Sequence, residues 1–254
     1  MTGTHILQSL LQNPAVVSVY CIVRAPSLEV GKQRLQESLE KQFIVLNIEE
    51  WNRVVIICGD TSAPFWGMNS QDIDTLRLSN IRGIIHNSAY VNHALKYNDL
   101  YPHNVESTLT GINLAADFTI ASKGTPCHYS YVSTGGVCGR LSFINEETPL
   151  RLPVTSLITQ NGYVQGKWVS ECLMENAATY LSNSMQQTAM NATPLFSVFR
   201  PGAVSSHATT MASNVGDSLN RYIIGWCKIG AAPPLDPAAQ VLEVSMLKYL
   251  FYNF

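Results

Sequence analysis

The chain has 254 residues, of which 13% are charged, with a formal net charge of −2 and a pI near 6.3. That balance excludes a basic nucleic-acid-binding surface, and no basic run or nucleic-acid motif appears. Six cysteines (Cys21, Cys58, Cys127, Cys138, Cys172, Cys227) stand without C-x-x-C spacing, mostly in apolar runs, which points to buried thiols in a reducing compartment rather than disulfides or zinc. No apolar stretch is long enough to span a bilayer and no signal peptide precedes the first helix, so a soluble cytoplasmic protein is expected.

In chain order, Ile6, Leu7, Leu10 and Leu11 form a helical stripe that stops at Asn13-Pro14. The apolar run Ala15–Val23 has the character of a buried parallel strand and ends in Arg24; a helix over 28–41, carrying Arg34, follows. Arg53–Cys58 predicts another strand, closed by Gly59-Asp60. Residues 61–80 read as loop plus a short helix, and Gly83–Ala89 as strand and turn. His86 and His93 lack a third ligand at sensible spacing, so no metal site is expected. A long helical pattern covers Tyr97 to Ser122, and strand 127–132 delivers Ser133-Thr134. Residues 140–161 then read as a loop and 163–181 as a helix. Pro194–Phe199 is the last clear strand, running into Arg200-Pro201-Gly202, after which composition shifts to Ser, Ala, Thr and Asn. A helical piece around Asp217 to Trp226, a proline-rich break at 233–237 and an apolar tail from Val241 complete the chain. Alternating strands and helices predict a doubly wound, Rossmann-like parallel α/β sheet, with ligand at the carboxyl ends of the strands.

The chemistry concentrates in Ser133-Thr134-Gly135-Gly136 and Gly162-Tyr163-Val164-Gln165-Gly166-Lys167-Trp168. Tyr163 and Lys167 sit four apart, so on a helix they share one face. A free tyrosine has a pKa of about 10, and an ammonium beside it favours the phenolate. Such a phenol can give its proton to a carbonyl oxygen as a hydride reaches the carbon, with Thr134 supplying a second hydrogen bond to the developing oxyanion. Spacing alone is a weak criterion, because an exposed amphipathic helix with a solvated lysine has the same pattern. Arg24 stands at the tip of the Ala15–Val23 strand. In a dinucleotide fold the corresponding strand tip meets the adenosine ribose, where an arginine accommodates the 2′-phosphate of NADP and an acidic residue selects NAD; a solvated strand end is the alternative. With Arg34 nearby, NADPH is favoured over NADH.

Gly-Tyr-x-x-x-Lys-Trp-x-x-Glu (Gly162 to Glu171), after a Ser-Thr pair, resembles the extended short-chain dehydrogenase/reductase superfamily. Within it the likeness is to thioester reductase domains, which release acyl chains from carrier proteins of modular synthetases in secondary metabolism. The resemblance implies that Gly3 takes the third glycine position of the family's phosphate turn, that Asp60 lies near the adenine, and that Asn87 and Ala89 belong to a His-Asn-x-Ala segment backing the cofactor. It implies that Asn104-Val105 props the active site and that Arg200, in Arg-Pro-Gly, lies beside the nicotinamide. As plain sequence, Gly3 is equally a flexible terminal residue, Asp60 a turn residue, Asn104 a capping residue and Arg200-Pro201-Gly202 an ordinary strand exit. Aligned on the family, its first strand and first two glycines fall before Met1, and its substrate-binding part continues beyond Phe254.

The resulting expectation is an NADP-binding domain over 1–202 and a partial substrate-binding region over 203–254. The implied activity is NADPH-dependent reduction of an acyl thioester, on an acyl or peptidyl carrier's phosphopantetheine or on CoA, to an aldehyde or alcohol. Catalytic roles fall to Thr134, Tyr163 and Lys167, and cofactor contacts to Gly3, Arg24, Arg34, Asp60, Asn87, Ala89, Tyr163, Lys167 and Arg200. Two other readings compete. One is a redox-inactive domain that binds or cyclises a carrier-bound acyl chain; the other is a sugar-nucleotide epimerase or reductase of the same superfamily.

Overall fold

The computed structural model describes residues 2–123, 125–139, 152–187, 192–214, 216–232 and 241–242. They divide between two compact units: one runs to Cys58 and resumes at Pro201, and the other is Gly59–Arg200.

The first unit opens with α1 (Thr2–Gln12), followed by β1 (Val19–Val23), α2 (Leu28–Glu40), α3 (Ile48–Asn52) and β2 (Val54–Cys58). β1 and β2 pair in parallel, Val19 opposite Val54 through Val23 opposite Cys58. Leu7 and Leu11 of α1, Leu39 of α2, and Ile44 and Leu46 pack into one core with Val19, Cys21, Leu35, Trp51 and Val54 around them. β1 begins four residues later than the apolar run suggests. Asn13 folds the backbone into a turn, accepting from Ala15 N at 3.0 Å through its side chain and from Val16 N at 3.1 Å through its carbonyl. Arg53 fixes that turn by donating to the Leu11, Asn13 and Val16 carbonyls. Carbonyls at a helix C-terminus lack intrahelical partners, and a guanidinium fork supplies them.

The second unit holds α4 (Ser70–Leu78), β3 (Gly83–His86), α5 (Tyr97–Tyr101), α6 (Ser107–Ala121), β4 (His128–Val132), α7 (Val154–Leu157), α8 (Gly162–Gln187) and β5 (Leu195–Phe199). Its sheet is wholly parallel in the order β3-β4-β5, with His86 opposite Tyr131 and Val132 opposite Phe199. The helical pattern from Tyr97 is interrupted: α5 and α6 are joined by a π-helical turn, Pro102–Glu106. Proline has no N–H to donate and its ring crowds the carbonyl of the preceding turn, so the helix widens to admit it. α8 runs six residues beyond its expected end, since nothing between Tyr180 and Gln187 breaks a helix. The strands face inward with large side chains, Tyr129 and Tyr131 both fully buried. α6 reaches Tyr129 only because residue 111 is glycine; a Cβ there would lie 2.5 Å from the Tyr129 ring and 2.8 Å from Trp66.

Parallel sheets with helices packed on them bear out the Rossmann-like α/β expectation. Back in the first unit, β6 (Ala203–Val204), α9 (Ser218–Ile229) and β7 (Val241–Leu242) follow, β6 and β7 pairing in parallel. Of the loop expected over the site at 140–161, residues 140–151 lie outside the described residues and Val154–Leu157 is the short helix α7; the tail 243–254 also lies outside them. Among the described residues no helix is long and apolar enough to cross a membrane.

Candidate active site

Thr134, Tyr163 and Lys167 lie in the second unit, two on α8 and one directly after β4. Thr134 is extended and caps the short turn Gly135–Cys138, its Oγ1 accepting from Gly136 N at 3.3 Å. That bond uses a lone pair and leaves the hydroxyl proton for donation elsewhere. The turn lies against the start of α8, because a Cβ on Gly136 would touch Val164 at 3.0 Å. Gly162 opens α8 under a tighter constraint. A Cβ there would lie 2.4 Å from the backbone of both Lys96 and Tyr97, so only glycine lets the residue before Tyr163 approach that segment.

Tyr163 is 9% exposed and packs with Leu100 and Val164 over Ala89 and Leu95. The exposed His93 meets its ring edge-on, centroids 5.4 Å apart. Lys167 is 1% exposed. Its Nζ donates to the Val132 carbonyl at 2.6 Å and lies 4.3 Å from the Tyr131 ring centroid and 6.0 Å from that of Tyr163. The ammonium is thus tied to the strand end that carries Ser133-Thr134.

Electrostatics modify the expectation for the pair. Burial pushes the Tyr163 phenol above its usual range, and the attraction of Lys167 offsets this only in part. The lysine's preference for the phenolate is present as expected, but desolvation of a phenolate outweighs it, so the net displacement is upward. Burial likewise lowers the affinity of Lys167 for its proton, opposed by Tyr163 and then Glu171.

The π-helical turn supports this arrangement from behind. Asn104, 1% exposed, accepts from Tyr90 N at 2.8 Å and donates to Tyr90 O at 3.2 Å, which clamps the loop after β3. Its carbonyl accepts from Thr108 Oγ1 and from Ser170 Oγ of α8. π-helical turns recur at functional sites because they free backbone groups for such duties.

The chain matches the NAD_binding_4 model, described as male sterility protein, over residues 1–249. It belongs to that family. Among curated relatives, the non-canonical nonribosomal peptide synthetase hkm10 of Aspergillus hancockii is 28% identical over 92% of this chain and 22% of its own length. The aldehyde reductase lnaA of Aspergillus flavus is 29% identical over 92% of this chain and 21% of its own length. The chain therefore spans about a fifth of the length of these relatives. The crystal structure of the terminal R domain from the myxalamid PKS-NRPS biosynthetic pathway superposes with a TM-score of 0.81, at 26% identity, over 100% of this chain and 59% of that one.

The other residues anticipated for this NAD_binding_4 chain fall in two groups. In the first unit, Arg34 donates through Nη1 to the Arg24 carbonyl, so the two exposed arginines are neighbours, and Gly3 lies exposed in the first turn of α1. In the second unit, Asp60 accepts through Oδ1 from Ser62 N at 3.0 Å and Ser62 Oγ at 2.7 Å. Thr61 and Ser88 hydroxyls meet at 2.7 Å, joining the Asp60 loop to the loop of Asn87 and Ala89. Ala89 packs against the Tyr163 cluster. Arg200 turns Nε and Nη2 toward Glu171. His86, fully buried, bonds Tyr129 through Nδ1 at 2.6 Å and Ser107 through Nε2 at 3.1 Å; burial brings its pKa down to about 3. It is a neutral core histidine. Among the described residues no group of three His, Cys, Asp or Glu could hold a metal ion.

A nicotinamide cofactor fits the second unit by the chemistry of its donors. A phenol, an ammonium and a hydroxyl whose proton is not spent on its own turn converge around the β4 end. Sequence reasoning gave no role to Ser133 or Glu171. The available clue was Glu171 lying four residues beyond Lys167, on the same helix face.

Proposed function

We propose that this chain carries out NADPH-dependent reduction of an acyl thioester, held on the phosphopantetheine of an acyl or peptidyl carrier domain, to an aldehyde or alcohol. The observation that carries the reading is the tie between Lys167 and the Val132 carbonyl. It brings the charged end of the Tyr163 helix to the strand end bearing Thr134. The relatives' descriptions as peptide synthetases and an aldehyde reductase agree with it.

NADPH, when bound, supplies a hydride. Tyr163 and Lys167 hold the nicotinamide half, with Asn87, Ala89 and Arg200 beside it; Asp60 serves the adenine, Gly3 the diphosphate, and Arg24 and Arg34 the 2′-phosphate. In this division residues 1–202 bind cofactor and 203–254 begin the substrate part. Thr134 and Tyr163 donate hydrogen bonds to the thioester oxygen, and negative charge gathers there as the carbonyl carbon becomes tetrahedral. Tyr163 gives its proton to that oxygen. Lys167 stabilises the phenolate left behind, which is where the attraction between the two groups has its effect. The hemithioacetal then collapses: its hydroxyl gives up its proton as the carbonyl re-forms, the carbon–sulfur bond breaks, and the departing thiolate takes up a proton, giving aldehyde and free thiol. Six free cysteines suit a reducing, cytoplasmic setting.

The test follows loss of NADPH absorbance with an acyl-pantetheine thioester, alongside tryptophan fluorescence titrated with NADPH. Turnover that disappears in Tyr163→Phe while NADPH affinity stays within about twofold supports the reading, since a general acid contributes about 10²–10⁴ in rate. Absence of NADPH binding at millimolar cofactor refutes it. Binding without thioester turnover favours the redox-inactive alternative.

A further inference from the structure

Below the proposed catalytic pair, α8 buries a carboxylate, Glu171, to which the reduction chemistry gives no role. Lys167, Ser170, Glu171 and Met174 share one face of α8, and none is more than 2% exposed. Glu171 Oε1 accepts from Ser133 Oγ at 2.5 Å and from Arg200 Nε at 3.0 Å. Its Oε2 accepts from Arg200 Nη2 at 2.7 Å. Ser133 N donates in turn to Phe199 O at 2.7 Å, so α8 and the ends of β4 and β5 meet at one carboxylate.

Stability alone is a poor explanation for such a cluster. Desolvating two charges costs about as much as their attraction returns, and an apolar pair of the same volume usually holds a fold as well. An ion pair differs from an apolar pair in the field it creates. Here that field acts on a lysine one helical turn away and on the residue preceding Thr134.

We propose that Glu171 and Arg200 are a positioning pair: the Glu171 carboxylate keeps the buried Lys167 charged and holds the Ser133–Thr134 tip against α8, and Arg200 limits how strongly it does so. The inference rests on the reductase reading for its consequence in turnover, but its charge effect exists without substrate. The groups facing Lys167 are Tyr163 and Glu171 from its own helix, Tyr131 from β4 and His86 from β3. Those around Glu171 and Arg200 are Ser133, Tyr131, Cys138 and Glu175. Among the described charged groups at Lys167, Glu171 is the carboxylate, so its neutralisation leaves only the Tyr163 phenol to offset burial.

The experiment measures kcat/KM against pH for acyl-pantetheine reduction, and in parallel titrates the Lys167 resonance by NMR on lysine-labelled protein, assigned through Lys167→Met. Glu171→Gln should move the alkaline limb and the Lys167 titration to lower pH by about one unit, a tenfold change in proton affinity. Arg200→Gln should move both the other way, because the carboxylate then acts unopposed. Glu171→Asp keeps the charge and should leave both near the parent position while lowering kcat. A Lys167 titration that stays in place in Arg200→Gln overturns the proposal, whether or not Glu171→Gln folds. So does equal loss of rate at every pH in all three variants, which would mark a merely structural pair. A parent chain that reduces no thioester refutes the proposed activity instead, and the NMR titration still decides this inference.

Discussion

Replacing Gly162 by alanine tests whether one hydrogen atom's worth of space places the catalytic tyrosine. The added Cβ would lie 2.4 Å from Lys96 C, 2.4 Å from Tyr97 N and 2.7 Å from Leu95 O. All three are backbone atoms and cannot turn aside as a side-chain tip would. Ordinary contact is about 3.5 Å, so α8 and the 95–97 segment must part by roughly 1 Å. Overpacking of this kind costs about 1–3 kcal/mol. Alanine's better helix propensity returns about 1 kcal/mol, leaving a net loss of about 0–2 kcal/mol. Tyr163 is the next residue, and a shift of about 1 Å in a reacting group can cost a hundredfold in rate. Gly225 of α9 is the control: nothing lies within 4 Å of its Cβ position. There alanine should be neutral or stabilise by about 0.5–1 kcal/mol. Urea unfolding midpoints and kcat for the two variants decide the matter. A Gly162→Ala chain that unfolds at the parent's urea concentration and turns over at the parent's rate refutes the close-approach argument.

Lys167→Met exchanges a fully buried ammonium for an apolar chain of similar length. Because methionine orphans the Val132 carbonyl and removes a charge partner of Glu171, urea unfolding should show a loss of about 1–3 kcal/mol. NADPH-dependent turnover of the folded variant should fall at least about a hundredfold; turnover near the parent's would contradict the assigned role. His86 gives a pH dependence. Its folded pKa, about 3, lies below the ordinary value of 6.5, so between the two the unfolded chain binds the extra proton. The stability His86 contributes is therefore complete above pH 6.5 and is lost as pH falls, at about 1.4 kcal/mol per unit. Burial lowers His5 and His128 in the same sense. Unfolding free energy should drop by at least about 2 kcal/mol between pH 7 and 5, and a flat profile would show that His86 is not held neutral. Among the cysteines, Cys227 is exposed whereas burial pushes Cys21 and Cys127 up to about 12. Iodoacetamide at mild alkaline pH should label Cys227 first by mass spectrometry, and equal labelling of Cys127 would contradict its burial.

What could be read from the chain was local. Four-residue spacing on a helix puts Tyr163 and Lys167 on one face whatever surrounds them, and the apolar runs at β2, β4 and β5 announce parallel strands within a residue or two, though among them only β4 is largely buried. What could not be read depends on partners distant in sequence. Ser133 and Arg200 stand 38 and 29 positions from Glu171, and nothing local to Glu171 marks it as buried rather than as an ordinary helix-surface carboxylate. The net rise in the Tyr163 pKa was hidden for the same reason, since it arises from Leu100, Val164, Ala89 and Leu95 closing over the ring. Pro102 inside a helical stripe was a visible warning of the break that became the π-helical turn.

These features bear on one another. A phenol whose pKa burial has raised stays protonated until the moment of transfer, as a proton donor must. The adjacent ammonium then has its value after transfer, when a phenolate has to be tolerated in the same dry surroundings. At 1% exposure burial works against that ammonium, and Tyr163, then the Glu171 carboxylate one turn further along α8, oppose it. In the proposed positioning role, the glutamate closing the Gly162–Glu171 motif belongs to the same electrostatic device as its tyrosine and lysine, and a variant that keeps Tyr163 and Lys167 but loses that charge should lose the pH range and loosen the Ser133–Thr134 tip.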